Sequence, residues 1–267
     1  MAAQEAMMGT PEFDDRFVRH YLRHVVALNV ECDMPDGTRG RDVYSCFVLE
    51  MWGEWFLATS GHGLEKLRSG LPRLPNVACS LFDAWHPGAS RFPIPFPLLD
   101  ARTFAVDFDG LDLGLILLDE LFRRGLQANG IVPFVESTWR KPPANMRLHA
   151  VIGFPEQFIT RGPDATAVLP TFVYMNAVEA PPVMAKAFPR FYGKLPPQLV
   201  NPHTGATLTD MDGFSGSPII GFNVKDDGQV SYFLVAIQSG WRSDLCVVAG
   251  PLLPAIADWL AKQIEQV

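Results

Sequence analysis

The sequence predicts an all-β fold in which two successive sets of antiparallel strands are followed by a C-terminal α-helix. Short apolar segments separated by Gly, Pro, Asn and Asp turns, a pattern typical of strands, begin at Val25 and continue along most of the chain. A proline-bearing stretch over residues 129–144 separates two such series. Residues 254–266 instead have apolar side chains at helical spacing. These observations predict two β units closed by a helix.

The same pattern divides the 267 residues into four predicted parts. Residues 1–24 form a tail and a short helix, residues 25–128 the first β unit, residues 129–144 a linker, and residues 145–267 the second β unit with the terminal helix. Strands are predicted over residues 25–29, 42–51, 55–59, 76–85, 104–106, 113–118, 147–152, 171–178, 218–222, 232–237 and 245–249. Short helices are predicted over 13–22 and 121–129, and a long proline-bearing loop over 180–201.

Composition excludes several classes of function. The net charge is −7 and the isoelectric point is near 5.3, so the chain lacks the basic surface expected of proteins that bind nucleic acid or anionic membranes. No apolar run approaches the ~20 residues of a membrane span. The polar, acidic residues 1–16 differ from a secretory signal. If the chain is complete, we expect a cytoplasmic protein.

Neither the cysteines nor the histidines have the spacing of a metal site. Because the cysteines are scattered, we expect buried reduced thiols, which fits a reducing compartment; they are Cys32, Cys46, Cys79 and Cys246. His20 and His24 stand four apart on the predicted N-terminal helix, but no third ligand is nearby, and a solvated basic face is predicted. We therefore expect no metal and no other cofactor.

The segment Asp212–Pro218, Asp-Gly-Phe-Ser-Gly-Ser-Pro, is the main candidate for chemistry. Gly213 and Gly216 allow a tight turn in which bare backbone N–H groups can approach a reacting carbonyl. Ser215 on such a turn has an exposed hydroxyl beside backbone donors, which are two of the three parts of an acyl-transfer site. The third part is a base. A plain loop is the competing interpretation, because Gly, Ser and Pro dominate turns generally.

Residues 213–218 resemble the Gly-x-Ser-Gly-x-Pro signature around the nucleophile of chymotrypsin-like (trypsin-fold) serine peptidases. They differ from the Gly-x-Ser-x-Gly elbow of α/β-hydrolases, because Ser217 stands where that motif has glycine. The resemblance covers roughly residues 25–265. It implies two six-stranded antiparallel β-barrels packed together with a C-terminal α-helix. It also implies partners upstream of Ser215 in the order His, Asp, Ser, in a bacterial-type member without signal peptide or disulfides.

The histidine of this order is predicted to be His62. Residues 58–62, Ala-Thr-Ser-Gly-His, end an apolar strand and resemble the family's Thr-Ala-Ala-His motif, with an additional Ser-Gly. Gly63 stands in place of the usual cysteine. His86, His149 and His203 are weaker candidates, predicted as ordinary surface or core histidines.

The aspartate of this order is predicted to be Asp112. It is followed by Leu-Gly-Leu-Ile-Leu, which resembles the family's Asp-x-Ala-Leu-Leu segment. Asp107 and Asp109 are alternatives, although neither directly precedes the apolar run. A turn aspartate that merely opens a strand is the structural alternative.

The resemblance implies a role for each residue. Ser215 Oγ attacks the carbonyl, His62 takes its proton and returns it to the leaving amine, and Asp112 orients the imidazole. The amides of Gly213 and Ser215 form the oxyanion hole. Phe214 stands where zymogen-activated members carry an aspartate that pairs with a freed N-terminus, so activation by N-terminal insertion is not expected.

The resemblance also implies a substrate pocket lined by Thr209, Ser239 and Trp241. Threonine has no charge and Trp241 is bulky, so we expect a small or medium uncharged side chain before the scissile bond. Asp210 and Asp244 lie close in sequence to the pocket walls, and either of them pointing inward would favour Lys or Arg instead.

The predicted function is that of a serine endopeptidase acting on a protein or peptide substrate. The alternatives are an inactive member that serves as a binding module, and an esterase or acyltransferase with the same triad. A regulatory partner is not specified by the sequence, and neither nucleic acid nor membrane is an expected partner.

Overall fold

The computed structural model describes residues 19–82, 93–143, 146, 148–162, 166–200, 206–224 and 230–264. Within these ranges the chain forms two large antiparallel sheets, two small two-stranded sheets and three α-helices, besides a helical stretch at residues 19–22 and short 3-10 turns. The predicted tail and most of the helix predicted over 13–22 lie outside the described residues.

The first sheet is built from the N-terminal half of the chain. Its hydrogen-bonded order is β5-β4-β1-β2-β3-β7-β6. The bounds are β1 Val25–Asp33, β2 Arg39–Met51, β3 Glu54–Thr59, β4 Ala78–Phe82, β5 Ile94–Pro95, β6 Thr103–Phe108 and β7 Leu111–Leu117. In the β3–β7 register Thr59 pairs with Gly114. The end of β3 therefore lies beside the start of β7, where Asp112 is located.

The second sheet is built from the C-terminal half, and its order is β16-β15-β8-β11-β12-β18-β17. The bounds are β8 Leu148–Gly153, β11 Thr171–Ala177, β12 Arg190–Lys194, β15 Pro218–Val224, β16 Val230–Ile237, β17 Gly240–Arg242 and β18 Val247–Pro251. The two small sheets pair β9 Ile159–Arg161 with β10 Thr166–Val168, and β13 Leu199–Val200 with β14 Thr207–Leu208. The predicted pair of antiparallel β-barrel units is confirmed, although each sheet has seven strands, not six, because a short strand, β5 or β17, pairs at one edge.

The helices are α1 (Gly61–Gly70), α2 (Glu120–Ala128) and α3 (Leu253–Ile264). The predictions of a helix over 121–129 and of a terminal helix over 254–266 match α2 and α3 to within a few residues. Helix α1 is not predicted by the sequence pattern, because Gly61, Gly63 and Gly70 are poor helix formers. It begins directly after β3, so His62 lies in its first turn.

One predicted loop and one predicted strand differ from the structure. The loop predicted over 180–201 contains β12, which pairs with β11 and β18. Prolines at 189, 196 and 197 surround this five-residue strand and conceal it in the sequence. The strand predicted over 245–249 begins at Val247, because Ser243–Leu245 forms a 3-10 turn and Cys246 is left-handed, with φ of 50°.

The largest part of the hydrophobic core is shared by the two barrels. Its largest cluster joins Phe47 and Leu113 of the first sheet to Ile152 and Ile220 of the second, and Ile256 of α3 packs against the same cluster. Full burial of each such side chain contributes about 1.5–3 kcal/mol. This shared core fixes the relative position of the barrels, and with it the ends of β3, β7 and β15.

His24 is buried, so the solvated basic face predicted for His20 and His24 is wrong at this position. Its ring is 1% exposed, stacks on Phe134 at 4.0 Å between centroids, and bonds through Nδ1 to the carbonyl of Val132 at 2.8 Å. Its Nε2 lies 3.2 Å from the hydroxyl of Tyr232. These contacts tie the segment before β1 to the interbarrel connection and to β16.

The burial of His24 predicts instability in acid. Burial lowers the pKa of His24 from 6.5 to about 3, so between these values the unfolded chain binds a proton that the folded chain does not. The free energy of unfolding should therefore fall with decreasing pH, starting near pH 6.5, by about 1.4 kcal/mol per pH unit for one such group. Burial also lowers the pKa of His149 to about 4, so His149 too lowers the free energy of unfolding as the pH decreases.

Urea denaturation between pH 4 and pH 7 measures this effect. His24→Gln, which has no proton to take up, should reduce the pH slope by close to one proton. His62 does not interfere below pH 6.5, because its pKa is raised and both folded and unfolded forms are protonated there. An unchanged slope in His24→Gln would contradict the assignment.

The four cysteines are free thiols; Cys32 and Cys46 are buried, and Cys79 and Cys246 are partly buried. Burial raises the pKa of Cys46 to about 12 and that of Cys79 to about 11, so both thiols stay protonated at neutral pH. Within the described ranges, none of the helices combines the length and apolarity that crossing a bilayer requires. The same part of the chain holds no cluster of three or more His, Cys, Asp or Glu side chains suited to a metal ion.

Candidate active site

His62 reaches the site because β3 passes directly into α1 at Gly61. A Cβ atom at Gly61 would overlap the carbonyl of Val106 and would lie 2.9 Å from the amide of Leu113. Only glycine allows the first turn of α1 to lie this close to the β6–β7 hairpin. The close approach brings His62 beside Asp112 on β7.

His62 and Asp112 form two hydrogen bonds. The backbone N–H of His62 donates to Oδ1 at 3.0 Å, and Nδ1 lies 2.7 Å from Oδ2. The Asp112 side chain is 6% exposed and that of His62 is 44% exposed. An ionised carboxylate only accepts hydrogen bonds, so Nδ1 carries the proton and Nε2 keeps a free lone pair. The imidazole is thereby oriented as a base.

The charges around His62 favour its protonated form. The hydrogen bond that His62 donates to Asp112 raises the pKa of His62 above its ordinary value, against the opposing effect of burial. The carboxylates of Asp112 and Asp107 raise this pKa further by Coulomb attraction, and Lys66 lowers it. The pair is therefore suited to accept a proton and to hold the resulting cation.

Asp112 is the carboxylate that contacts His62, and the two alternatives lie elsewhere on the same hairpin. Asp107 pairs with Asp112 across the β6–β7 register, and Asp109 lies in the hairpin turn with φ of 45°. His149 is buried against Phe191 in the second barrel, with ring centroids 4.7 Å apart. His86 and His203 lie outside the described residues.

The loop that carries Ser215 lies against the end of β3. Gly216 has φ of 92°, and a Cβ atom there would overlap both Thr59 Oγ1 and the carbonyl of Ser45, and would lie 3.0 Å from the amide of Ser60. Phe214 is fully buried in the core of the second barrel and anchors the loop from the other side. Ser215, between these two residues, is held at the end of β3 from which His62 extends.

Two backbone amides of this loop are free to bind an anion. The carbonyl of Asp212 accepts from the amide of Glu156 at 2.9 Å, so the N–H of Gly213 in the same planar peptide points the opposite way. The carbonyl of Phe214 accepts from Ser217 N at 2.8 Å, which turns the N–H of Ser215 away in the same manner. Among the described residues, neither of the two amides donates to a partner.

Ser217 is enclosed in the protein. It is fully buried, its Oγ has no hydrogen-bond partner among the described residues, and a Cβ atom at Gly153 would overlap it. Ser215 is partly exposed. Of the two serines in the motif, Ser215 is therefore the one that a substrate can reach.

Ser45 is a site residue that the sequence reasoning missed. Its fully buried Oγ donates to the carbonyl of Gly213 at 2.6 Å and accepts from the amide of Phe154 at 2.9 Å. It therefore fixes the peptide that follows Gly213. A signal was present in the sequence, since Ser45 alternates with Val43 and Phe47 on the core face of β2, where a polar side chain needs a partner.

The predicted pocket residues lie in two places. The amide and hydroxyl of Thr209 both bond Gln157 Oε1, at 2.9 and 3.1 Å, beside the turn after β8. Ser239 donates its amide to Ala249 at 3.0 Å, and Trp241 packs half-buried against the second-barrel core. Ser239 and Trp241 thus lie along β18, while Thr209 bonds to a different segment.

Both nearby aspartates form hydrogen bonds within their own segments. Asp210 accepts from the amides of Met211 and Asp212, at 2.6 and 3.2 Å. Asp244 pairs with Arg242 through two hydrogen bonds of 2.7 and 2.8 Å. Asp244 is therefore ion-paired within its own segment, and Asp210 is bound there through Oδ1.

Comparison with solved structures places the fold. A Glu endopeptidase in complex with MPD matches with a TM-score of 0.50 at 11% identity, over 94% of each chain. The serine protease domain of the Sesbania mosaic virus polyprotein has a TM-score of 0.46 at 10% identity, over 89% of this chain and 92% of that one. Catalytically active tobacco etch virus protease complexed with product has a TM-score of 0.44 at 12% identity, over 91% of this chain and 78% of that one. The likeness to the Glu endopeptidase, together with the two antiparallel sheets and the C-terminal helix, shows the chymotrypsin-like double-barrel fold.

No protein-family model matches the sequence, and no curated protein matches it either.

Proposed function

We propose that the protein is a serine endopeptidase with Ser215 as nucleophile, His62 as general base and acid, and Asp112 as the residue that orients and stabilises the imidazole. Ser215 Oγ attacks the substrate carbonyl and gives its proton to Nε2 of His62. The amides of Gly213 and Ser215 bind the oxyanion. His62 then protonates the leaving amine, and water hydrolyses the acyl-enzyme by the same steps.

The observation that carries the proposal is the double hydrogen bond between His62 and Asp112. A single contact could serve packing alone, but here Oδ1 fixes the backbone at 3.0 Å and Oδ2 fixes the ring at 2.7 Å. The outer nitrogen of the ring is left free on a half-exposed side chain. Two unpaired amides and an accessible serine in one loop supply the other parts, and each oxyanion donor is worth about 3–4 kcal/mol.

Peptide hydrolysis by Ser215→Ala and Ser217→Ala tests the assignment. Ser215→Ala should abolish activity and leave thermal stability nearly unchanged, because its hydroxyl has no hydrogen-bond partner among the described residues. Ser217→Ala removes the neighbouring buried hydroxyl, which is also unpartnered, and should keep activity. The reverse pattern would show that the nucleophile is wrong.

A peptide library tests the expected uncharged preference on the acyl side of the cut. Asp244 is ion-paired with Arg242 and Asp210 is held by the amides of its own turn, which supports Ala, Val, Thr or Leu over a basic side chain. A dominant preference for Arg or Lys would overturn this expectation. Hydrolysis of small esters without cleavage of any peptide would instead favour the esterase.

The binding-module alternative requires that the site be chemically inert. Such a protein would bind peptides and show no burst of acylation with an activated ester. The ordered His62–Asp112 pair, together with the partly exposed Ser215 in the same site, supports the catalytic function over an inert one.

A further inference from the structure

Arg190, at the start of β12, connects the two barrels beside the candidate site. Its Nη1 donates to the carbonyl of Gly110 at 2.9 Å, and its Nη2 donates to Ser239 Oγ at 2.9 Å. The Nε atom is buried and has no hydrogen-bond partner among the described residues. A half-buried guanidinium held in this way is costly to desolvate, and its position requires an explanation.

One acceptor of Arg190 belongs to the hairpin that carries Asp112. Gly110 has φ of 95° and precedes Asp112 by two residues. A Cβ atom at Gly110 would lie 2.5 Å from Lys186 Cβ and 3.2 Å from Arg190 Cδ, so the turn packs directly on the segment before β12. The same segment donates from Phe188 N to the carbonyl of Asp109 at 3.2 Å.

The other acceptor follows the residue that holds the nucleophile loop. Gln238 accepts from the amide of Gly216 and donates its own amide to the carbonyl of Ser217, both at 2.8 Å. Ser239 comes next in the chain. One side chain, that of Arg190, therefore joins the Asp112 hairpin of the first barrel to the segment between β16 and β17 that fixes the Ser215 loop of the second.

The charge of Arg190 faces the carboxylates of the site. Burial lowers the pKa of Arg190, while the carboxylates of Asp112 and Asp107 act to raise it. Lys186 lies on the adjoining segment. No ion pair joins Arg190 to a carboxylate within the described part of the chain, so its field is not cancelled by a contacting counter-ion.

The charged groups nearest to β17 cancel one another. Arg242, the last residue of β17, and Asp244 pair at 2.7 Å. The charged groups that act on His62 are Lys66 on its own helix, Asp107 on β6 and Asp112 on β7, and Arg190 acts on the same two carboxylates.

We propose that Arg190 is a positioning residue of this site, which holds the Asp112 hairpin against the Ser239 segment and whose positive charge, close to Asp112 and Asp107, disfavours protonation of His62. The expected effect on rate rests on the proposed peptidase function. The expected effect on the titration of His62 does not.

The test is an NMR titration of His62 in the full chain, with its signal identified by loss in His62→Gln. Arg190→Met should raise the midpoint by roughly 0.5 to 1 pH unit, because a nearby positive charge is removed. Arg190→Lys keeps the charge and should titrate like the unmodified protein. The control Arg242→Met removes an exposed, paired arginine and should also leave the midpoint unchanged.

Peptide hydrolysis adds a second readout that separates charge from geometry. An ammonium cannot replace the rigid fork that reaches two acceptors at once, so Arg190→Lys should keep its pH midpoint and lose roughly tenfold in kcat. If Arg190→Met does not fold, as judged by near-UV circular dichroism, Arg190→Gln replaces it with the same expected midpoint.

A midpoint unchanged in the neutral variants, or shifted equally in Arg190→Lys, would overturn the proposal. A protein in which Ser215 proves unreactive would refute the peptidase assignment, and the His62 titration would still decide the role of Arg190.

Discussion

Replacing Asp112 by asparagine is expected to lower kcat for peptide hydrolysis by about 10⁴-fold without unfolding the protein. The asparagine carbonyl can replace Oδ1 and accept from the backbone of His62. Its NH₂ group, in the place of Oδ2, can only donate. Nδ1 of His62 must then accept, which moves the ring proton to Nε2 and leaves no lone pair for the proton of Ser215.

The matched control for Asp112→Asn is Asp107→Asn. Asp107 lies directly opposite in the β6–β7 register, carries the same charge, and acts on His62 only through space. Its loss should lower the pKa of His62 slightly and leave kcat near the plateau almost unchanged. Equal losses in the two variants would mean that charge, not orientation, is what Asp112 supplies.

Substituting alanine for Gly216 is expected to destabilise the protein by about 3 kcal/mol or more and to abolish activity. The backbone there has φ of 92°, and the new Cβ would overlap Thr59 Oγ1 and the carbonyl of Ser45. Since the carbonyl belongs to a central strand, the loop must move instead, and Ser215 moves with it.

Gly37→Ala is the control for Gly216→Ala. Gly37 has φ of 82°, but a Cβ atom there would have nothing within 4 Å. It should therefore show only the strain of a left-handed alanine, about 1–2 kcal/mol, and full activity. Urea midpoints for the two variants measure the difference, and similar midpoints would show that the loop does not pack tightly on β3.

Much of this fold could be predicted because its signals are local. The second half of β2 and the run after Asp112 in β7 are mostly apolar and are bounded by turns, and the Gly-Phe-Ser-Gly-Ser-Pro turn has its own backbone requirements. Helix α1 could not be predicted in this way. Its glycines lower helix propensity, and its position depends on the close contact of Gly61 with Val106, which lies far away in the sequence.

Ser45 and Arg190 could not be assigned to the site from local pattern for a related reason. Each contacts a segment from the other barrel: Ser45 bonds Gly213, and Arg190 bonds Gly110. Such pairs depend on how the two sheets pack together, which is set by the shared core and not by any neighbouring motif. The three triad candidates could be predicted from the sequence because each of them lies near the end or the start of a strand.

Site mapping with a fluorophosphonate tests the central claim most directly. The intact protein is incubated with the probe, digested, and its modified peptide is sequenced by mass spectrometry. We expect one adduct, on Ser215, formed at a rate that falls as pH decreases through the raised pKa of His62. An adduct on Ser217 or Ser239, or no adduct at all on folded protein, would contradict it.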